Sequence, residues 1–183
     1  MFLYDYSSSP LEPDSIRLLR LMPYKSESIE RTEIQCELFN YSLQDQGKAS
    51  HLYEALSYVW GDPKKTLSIR VNGKEFHVTV NLHAALMRLR DCYLQRILWV
   101  DAICIDQGNK EEKAKQVQLM AKIYSKAHRV IVWLGKGTFD TEEALEDIYL
   151  VAKEESTELP KKKVEAILNL LQGPWFQRIW VRE

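Results

Sequence analysis

The sequence predicts an α/β fold in which a parallel sheet is flanked by helices, and three observations carry that reading. The runs YEALSYVWG (53–61), ILWVDAICI (97–105) and RVIVWLG (129–135) are short and largely apolar, as expected of strands buried on both faces. Amphipathic stretches separate them. A strong turn signal, Asn72-Gly73 between alternating segments, marks a β-hairpin inserted among these elements.

In chain order, residues 1–14 are rich in Ser and Pro and read as a flexible N-terminal arm. SIRLLRLMP (15–23) and IQCELFNYSL (34–43) alternate apolar and polar residues, which predicts two added N-terminal strands paired as a hairpin. YEALSYVWG then stops at Gly61-Asp62-Pro63, a turn sequence. In LSIRVNGKEFHVTV (67–80) a type I′ turn requires positive φ at both Asn72 and Gly73. Asn81 is read as the cap of a helix whose Leu82, Ala85, Leu86 and Leu89 recur at helical spacing.

Between the second and third apolar runs, Ala114, Val117, Met120 or Ala121, Tyr124 and Ala127 form a stripe on a Lys- and Gln-rich helix. Strand, helix, strand predicts a right-handed crossover joining parallel neighbours. The core pattern is therefore βαβαβ. Further on, Asp140 with Glu143 resembles a capping box, and Pro160 opens a helix carrying Val164, Ile167, Leu168 and Leu171 before Gly173 ends it. Pro174 begins one more helix, and the abrupt stop at Glu183 suggests a longer protein. The expected organisation is an arm (1–14) and a single domain (15–183).

At 183 residues, with 45% apolar and 28% charged side chains, the chain can bury roughly 70% of its unfolded surface. No run of about 18 apolar residues is available for a membrane span. The N-terminus lacks a signal-peptide pattern, so the protein reads as cytoplasmic. A net charge of −1 gives no electrostatic reason to bind nucleic acid or a membrane surface; Lys161 to Lys163 read as a solvated helix face. Cys36, Cys92 and Cys104 are odd in number and far apart, which fits reduced thiols. The four histidines have no shared helix face, and no metal is expected.

Phosphate cradles and the nucleophile elbow have no counterpart among the sequence motifs. Asp101 and Asp106 admit two readings, a divalent-ion site or the turn and cap after a strand. Asp101 also stands where open parallel sheets present ligands, beyond a strand's carboxyl end. Ser57, Tyr58, Trp60 and Gly61 end another such strand and could share that crevice or belong to the core. Cys104 is either a nucleophile or, lacking an evident base, a buried thiol. Glu183 shares a helix face with Trp180 if IWVRE is helical, so it is either a surface charge or a carboxylate fixed beside a pocket.

YEALSYVWGD (53–62), LWVDAICIDQGNKEEKAKQVQLMAKIYSKAHRVIVWLG (98–135) and WFQRIWVRE (175–183), in this order and spacing, resemble the fungal heterokaryon-incompatibility (HET) domain. Asp106 and Arg182 depart from the Asn and Gln common at those positions. That family is in turn similar to Toll/interleukin-receptor (TIR) domains, which implies a TIR-like, flavodoxin-like sheet. The resemblance implies a strand ending near Ser57-Tyr58, an Asp at the end of the second strand (Asp101), and a Trp followed three residues on by a Glu (Trp180, Glu183). It further implies regulated cell death, self-association into a homo-oligomer on activation, an upstream sensor, and NAD⁺ as a substrate cleaved with Glu183 as catalytic group. Ser57, Tyr58, Trp60, Gly61 and Asp101 would bind it, with no other cofactor. The alternatives are a non-enzymatic self-association module, or a nucleotide-binding regulator without turnover.

Overall fold

The computed structural model describes residues 4–24, 33–44, 52–137, 139–154 and 161–177. They form two compact units, 1–133 and 134–183. The first is built on a seven-stranded mixed sheet. Its strands are β1 (Ser15–Leu21), β2 (Gln35–Ser42), β3 (Glu54–Tyr58), β4 (Thr66–Val71), β5 (Lys74–Thr79), β6 (Arg96–Trp99) and β7 (Arg129–Trp133), in the order β5-β4-β2-β1-β6-β3-β7. Helices α1 (Val80–Leu89), α2 (Asp101–Cys104) and α3 (Lys110–Lys126) connect them.

The expected α/β class and the parallel unit are both present. β3 pairs in parallel with β6 on one side and β7 on the other, so the first strand of the unit is central and the second and third flank it. This is the order with which flavodoxin-like sheets begin. One expectation changes: β6 and β7 are parallel but not neighbours, because β3 lies between them. Among the described residues β7 is also an edge strand, with Val130 and Val132 exposed, where the apolar run RVIVWLG suggested burial on both faces.

β1 and β2 pair antiparallel from Ser15↔Ser42 to Leu21↔Cys36, as their alternation predicts. Residues 4–14, read as a mobile arm, are held against this sheet. The Tyr4 amide donates to the Glu75 carbonyl, and the Tyr6 hydroxyl donates to the Ile103 carbonyl at 2.7 Å. The β4–β5 turn has φ of 51° at Asn72 and 75° at Gly73, both in the region that its sequence demands. Asn72 does more than turn the chain. Its side chain accepts from the Leu38 amide at 2.9 Å and donates to the Leu38 carbonyl at 3.3 Å, clipping the hairpin to β2.

The run 97–105 is not a continuous strand. Backbone pairing stops at Trp99, and DAIC winds into α2, because an apolar run by itself does not distinguish a strand from a short buried helix. Side chains supply partners to the carbonyls of so short a helix. Gln107 Nε2 donates to Asp101 O at 2.9 Å, Tyr6 to Ile103 O, and Arg17 to Cys104 O at 3.3 Å.

α3 packs its face through Gln116, Leu119, Met120, Ile123 and Tyr124, a stripe rotated from the expected one. Val117 is 50% exposed. The inward positions of its first turns go to polar residues with distant partners: Glu112 pairs with Arg17, and Gln116 Nε2 donates to Ser15 O at 2.9 Å.

In the second unit, α4 (Phe139–Glu154) and α5 (Lys161–Leu171) pack together. α4 begins one residue before Asp140, so the expected cap lies inside the helix. Pro160 lies outside the described residues. α5 ends before Gly173, as expected, and residues 174–177 form a turn; the rest of the helix expected from Pro174 lies outside the described residues. Among the described residues no helix is long and apolar enough to cross a membrane.

Candidate functional site

Because β3, β6 and β7 are parallel, their carboxyl ends reach one edge of the sheet. Beyond β3 come Val59, Trp60 and Gly61; beyond β6 come Val100 and Asp101; β7 ends at Trp133. Trp60 is 38% exposed, and its indole Nε1 donates to Asp101 Oδ2 at 2.9 Å. The other carboxylate oxygen of Asp101 accepts from the Ala102 amide at 2.8 Å, which places the acid at the start of α2. The structure thus brings Trp60 and Asp101 together, 41 residues apart in sequence. Gly61 adopts φ of +80°, turning the chain sharply after the indole. A side chain there would meet the Asn81 Cβ at 3.4 Å.

Asn81 is the site residue that sequence reasoning missed. Thr79, not Asn81, caps α1, its Oγ1 accepting from the Leu82 amide at 3.3 Å. The Asn81 side chain instead points across the strand ends: Nδ2 donates to the Val59 carbonyl at 2.6 Å, and Oδ1 accepts from Trp133 Nε1 at 3.0 Å. Its two partners fix the orientation of the amide, since one only accepts and the other only donates. An Asn before an apolar helical pattern carries the signal of a cap, which hides this role. Replacing Asn81 by Leu is expected to cost about 1–3 kcal/mol by leaving both partners unpaired. Urea unfolding checks it, and an unchanged midpoint would contradict the bridging role.

Ser57 and Tyr58 are at the end of β3 as expected, but both side chains are covered, Tyr58 to 1% exposure. Asp101 and Asp106 have separate tasks. Asp106 Oδ1 accepts from the Gly108 amide at 2.9 Å, a turn interaction. Cys104 is fully buried, its Sγ accepts from the Val100 amide at 3.3 Å, and burial pushes its thiol up to about 12. That thiol stays protonated and serves as packing. Among the described residues no group of three or more His, Cys, Asp or Glu is placed to hold a metal ion. Glu183 and Trp180 lie outside the described residues.

The edge therefore offers an exposed aromatic plate, a carboxylate that orients it, and an amide that ties the end of the central strand β3 to the end of β7. Such a plate can stack on a planar ring, and a carboxylate beside it can accept from hydroxyl groups.

A family model described as "Heterokaryon incompatibility protein (HET)" matches residues 53–183. That span contains Trp60, Gly61, Asn81, Asp101 and Glu183. The chain is also similar to "Heterokaryon incompatibility protein 6, OR allele" of Neurospora crassa. The two are 36% identical over 167 residues, covering 83% of this chain and 24% of that protein. The chain thus spans about a quarter of that curated relative's length. No solved structure matches.

Proposed function

The chain belongs to the heterokaryon incompatibility (HET) family, and on that premise we propose that it is an effector of heterokaryon incompatibility and regulated cell death that cleaves NAD⁺ after self-association. The observation that carries the reading is the Trp60–Asp101 pair. It stands at the carboxyl ends of the parallel strands β3 and β6, the edge at which open parallel sheets present ligands.

In this reading NAD⁺ is the substrate and the nicotinamide-ribose bond is broken. The bonding electrons pass to the nicotinamide nitrogen, which leaves neutral, and the anomeric carbon acquires oxocarbenium character before water adds. A fixed carboxylate at Glu183 would stabilise that positive charge or orient the ribose hydroxyls. Trp60 would stack on the nicotinamide or the adenine, held in orientation by Asp101. Gly61, whose absent side chain would face the Asn81 Cβ, would hold the turn that presents the indole, and Ser57 and Tyr58 support the strand end from within the sheet.

Calorimetry with NAD⁺ and ADP-ribose tests the crevice directly. Both ligands are expected to bind, and Trp60→Ala is expected to weaken them by about 1–3 kcal/mol, the scale of base-aromatic stacking. Absence of binding by the assembled protein, or binding unaffected by Trp60→Ala, would remove Trp60 from the site.

A second reading, a non-enzymatic module that signals by self-association, is favoured by the exposed apolar turn carrying Tyr93 and Leu94. Cell toxicity that survives Glu183→Ala but is lost in monomeric surface variants would select it.

A further inference from the structure

We propose that the chain associates head to tail with a second copy, the turn 91–95 of one copy seating in the cleft between the N-terminal segment and α3 of the next. This gives a surface to the self-association in the reading above and rests on that step alone; NAD⁺ cleavage does not enter its test.

The turn presents Tyr93 at 83% and Leu94 at 70% exposure. It is rigidly held. Asp91 Oδ1 accepts from the amides of Tyr93 and Leu94 at 2.6 and 2.9 Å, and the Asp91 carbonyl accepts from the Tyr24 amide. Arg90, just before it, donates to the carbonyls of Met22 and Glu33. An apolar pair fixed in this way loses little freedom on docking, and exposed aromatics of this kind are common interface anchors.

Charge tells which surface it fits. Leu94 borders a hollow of about 590 Å³ at the amino ends of β3, β6 and β7, where among the described residues Arg88, Arg90, Arg96 and Arg129 outnumber the acids Glu54 and Asp91, Arg96 and Arg129 both pairing with Glu54. A cleft of about 620 Å³ lies by the amino end of α3, which the chain reaches from the carboxyl end of β6. Asp5, Glu12, Asp14, Asp106, Glu111 and Glu112 line it against Arg17 and Lys115, and Tyr6, Leu11 and Leu119 supply apolar walls. A basic-rimmed apolar knob thus meets an acidic, apolar-walled cleft of another copy. The two surfaces differ and occupy different places on the chain, so the contact is heterologous and repeats from copy to copy, closing into a ring or extending as a filament.

Sedimentation of the protein in low and high salt tests this. Arg88→Glu, Glu12→Lys and Tyr93→Ala are each expected to weaken association by about tenfold or more, and added salt to weaken that of the wild type. An equal mixture of Arg88→Glu and Glu12→Lys is expected to recover association, because each then offers the other a complementary surface. Association indifferent to these substitutions, or no recovery in the mixture, overturns this interface and leaves the self-association step standing. A chain that stays monomeric in low salt at the highest attainable concentration overturns both.

Discussion

Replacing Glu112 by alanine is expected to destabilise the fold by about 3–5 kcal/mol, the cost of leaving a buried partner charge uncompensated. That is a large part of the roughly 5–15 kcal/mol by which domains are stable. The Arg17 side chain is 1% exposed. Its guanidinium makes a two-pronged pair with Glu112 at 2.6 and 3.1 Å, donates to Ser9 O and Cys104 O, and lies 4.8 Å from the Tyr6 ring centroid. Glu112 Oε1 also accepts from the Asp106 amide at 2.8 Å. The pair therefore joins the N-terminal segment, β1, α2 and α3.

The two ends of this pair are not equivalent. Arginine cannot shed its proton in a protein, so Glu112→Ala strands a charge. Arg17→Met leaves a carboxyl that can take up a proton, and its loss is expected to be smaller. The double change Arg17→Met with Glu112→Leu is expected to recover most of the stability. Burial would raise the Glu112 carboxyl, but hydrogen bonds from Arg17 and the Asp106 amide, with the Arg17 charge, outweigh it and hold the group below its ordinary value. A depressed carboxylate contributes its full stabilisation above the unfolded value of about 4.3, and loses it as pH falls through the folded value. Urea unfolding across acid pH should show the gap between wild type and Glu112→Gln narrowing in that window. A gap that stays constant would contradict the pair as its source.

The same residues show what the sequence could and could not reveal. Asn72-Gly73 was legible because only a few residues tolerate positive φ at both positions of a tight turn, and the turn has it. The three parallel strands were legible from apolar runs broken by helical patterns. Their lateral order was not, since nothing local says that β3 inserts between β6 and β7. The buried face of α3 was misjudged because Glu112 and Gln116 point inward toward partners 95 and 101 residues away, and such pairings leave no periodic signal. At the site, Asp101 could be placed from its position after a strand. Its bond to Trp60 needed the parallel pairing of β3 and β6, and Asn81 was concealed by its likeness to a cap.

Glu183→Gln is expected to have the largest effect on activity. The substitution keeps the shape but removes the negative charge that would face the developing oxocarbenium ion, and it turns one acceptor oxygen into a donor. Losing one preorganised group of this kind costs on the order of 3 kcal/mol in the barrier, about a hundredfold in rate or more. The loss should fall on kcat rather than on NAD⁺ affinity, because the charge is needed in the transition state more than in the ground state. Trp60→Ala should do the reverse, weakening binding first. The measurement that bears most directly on NAD⁺ cleavage is nicotinamide release by the assembled protein, wild type beside Glu183→Gln. Release by the wild type, reduced about a hundredfold or more in the variant, is the expected result; no release by either, or equal release by both, would contradict it.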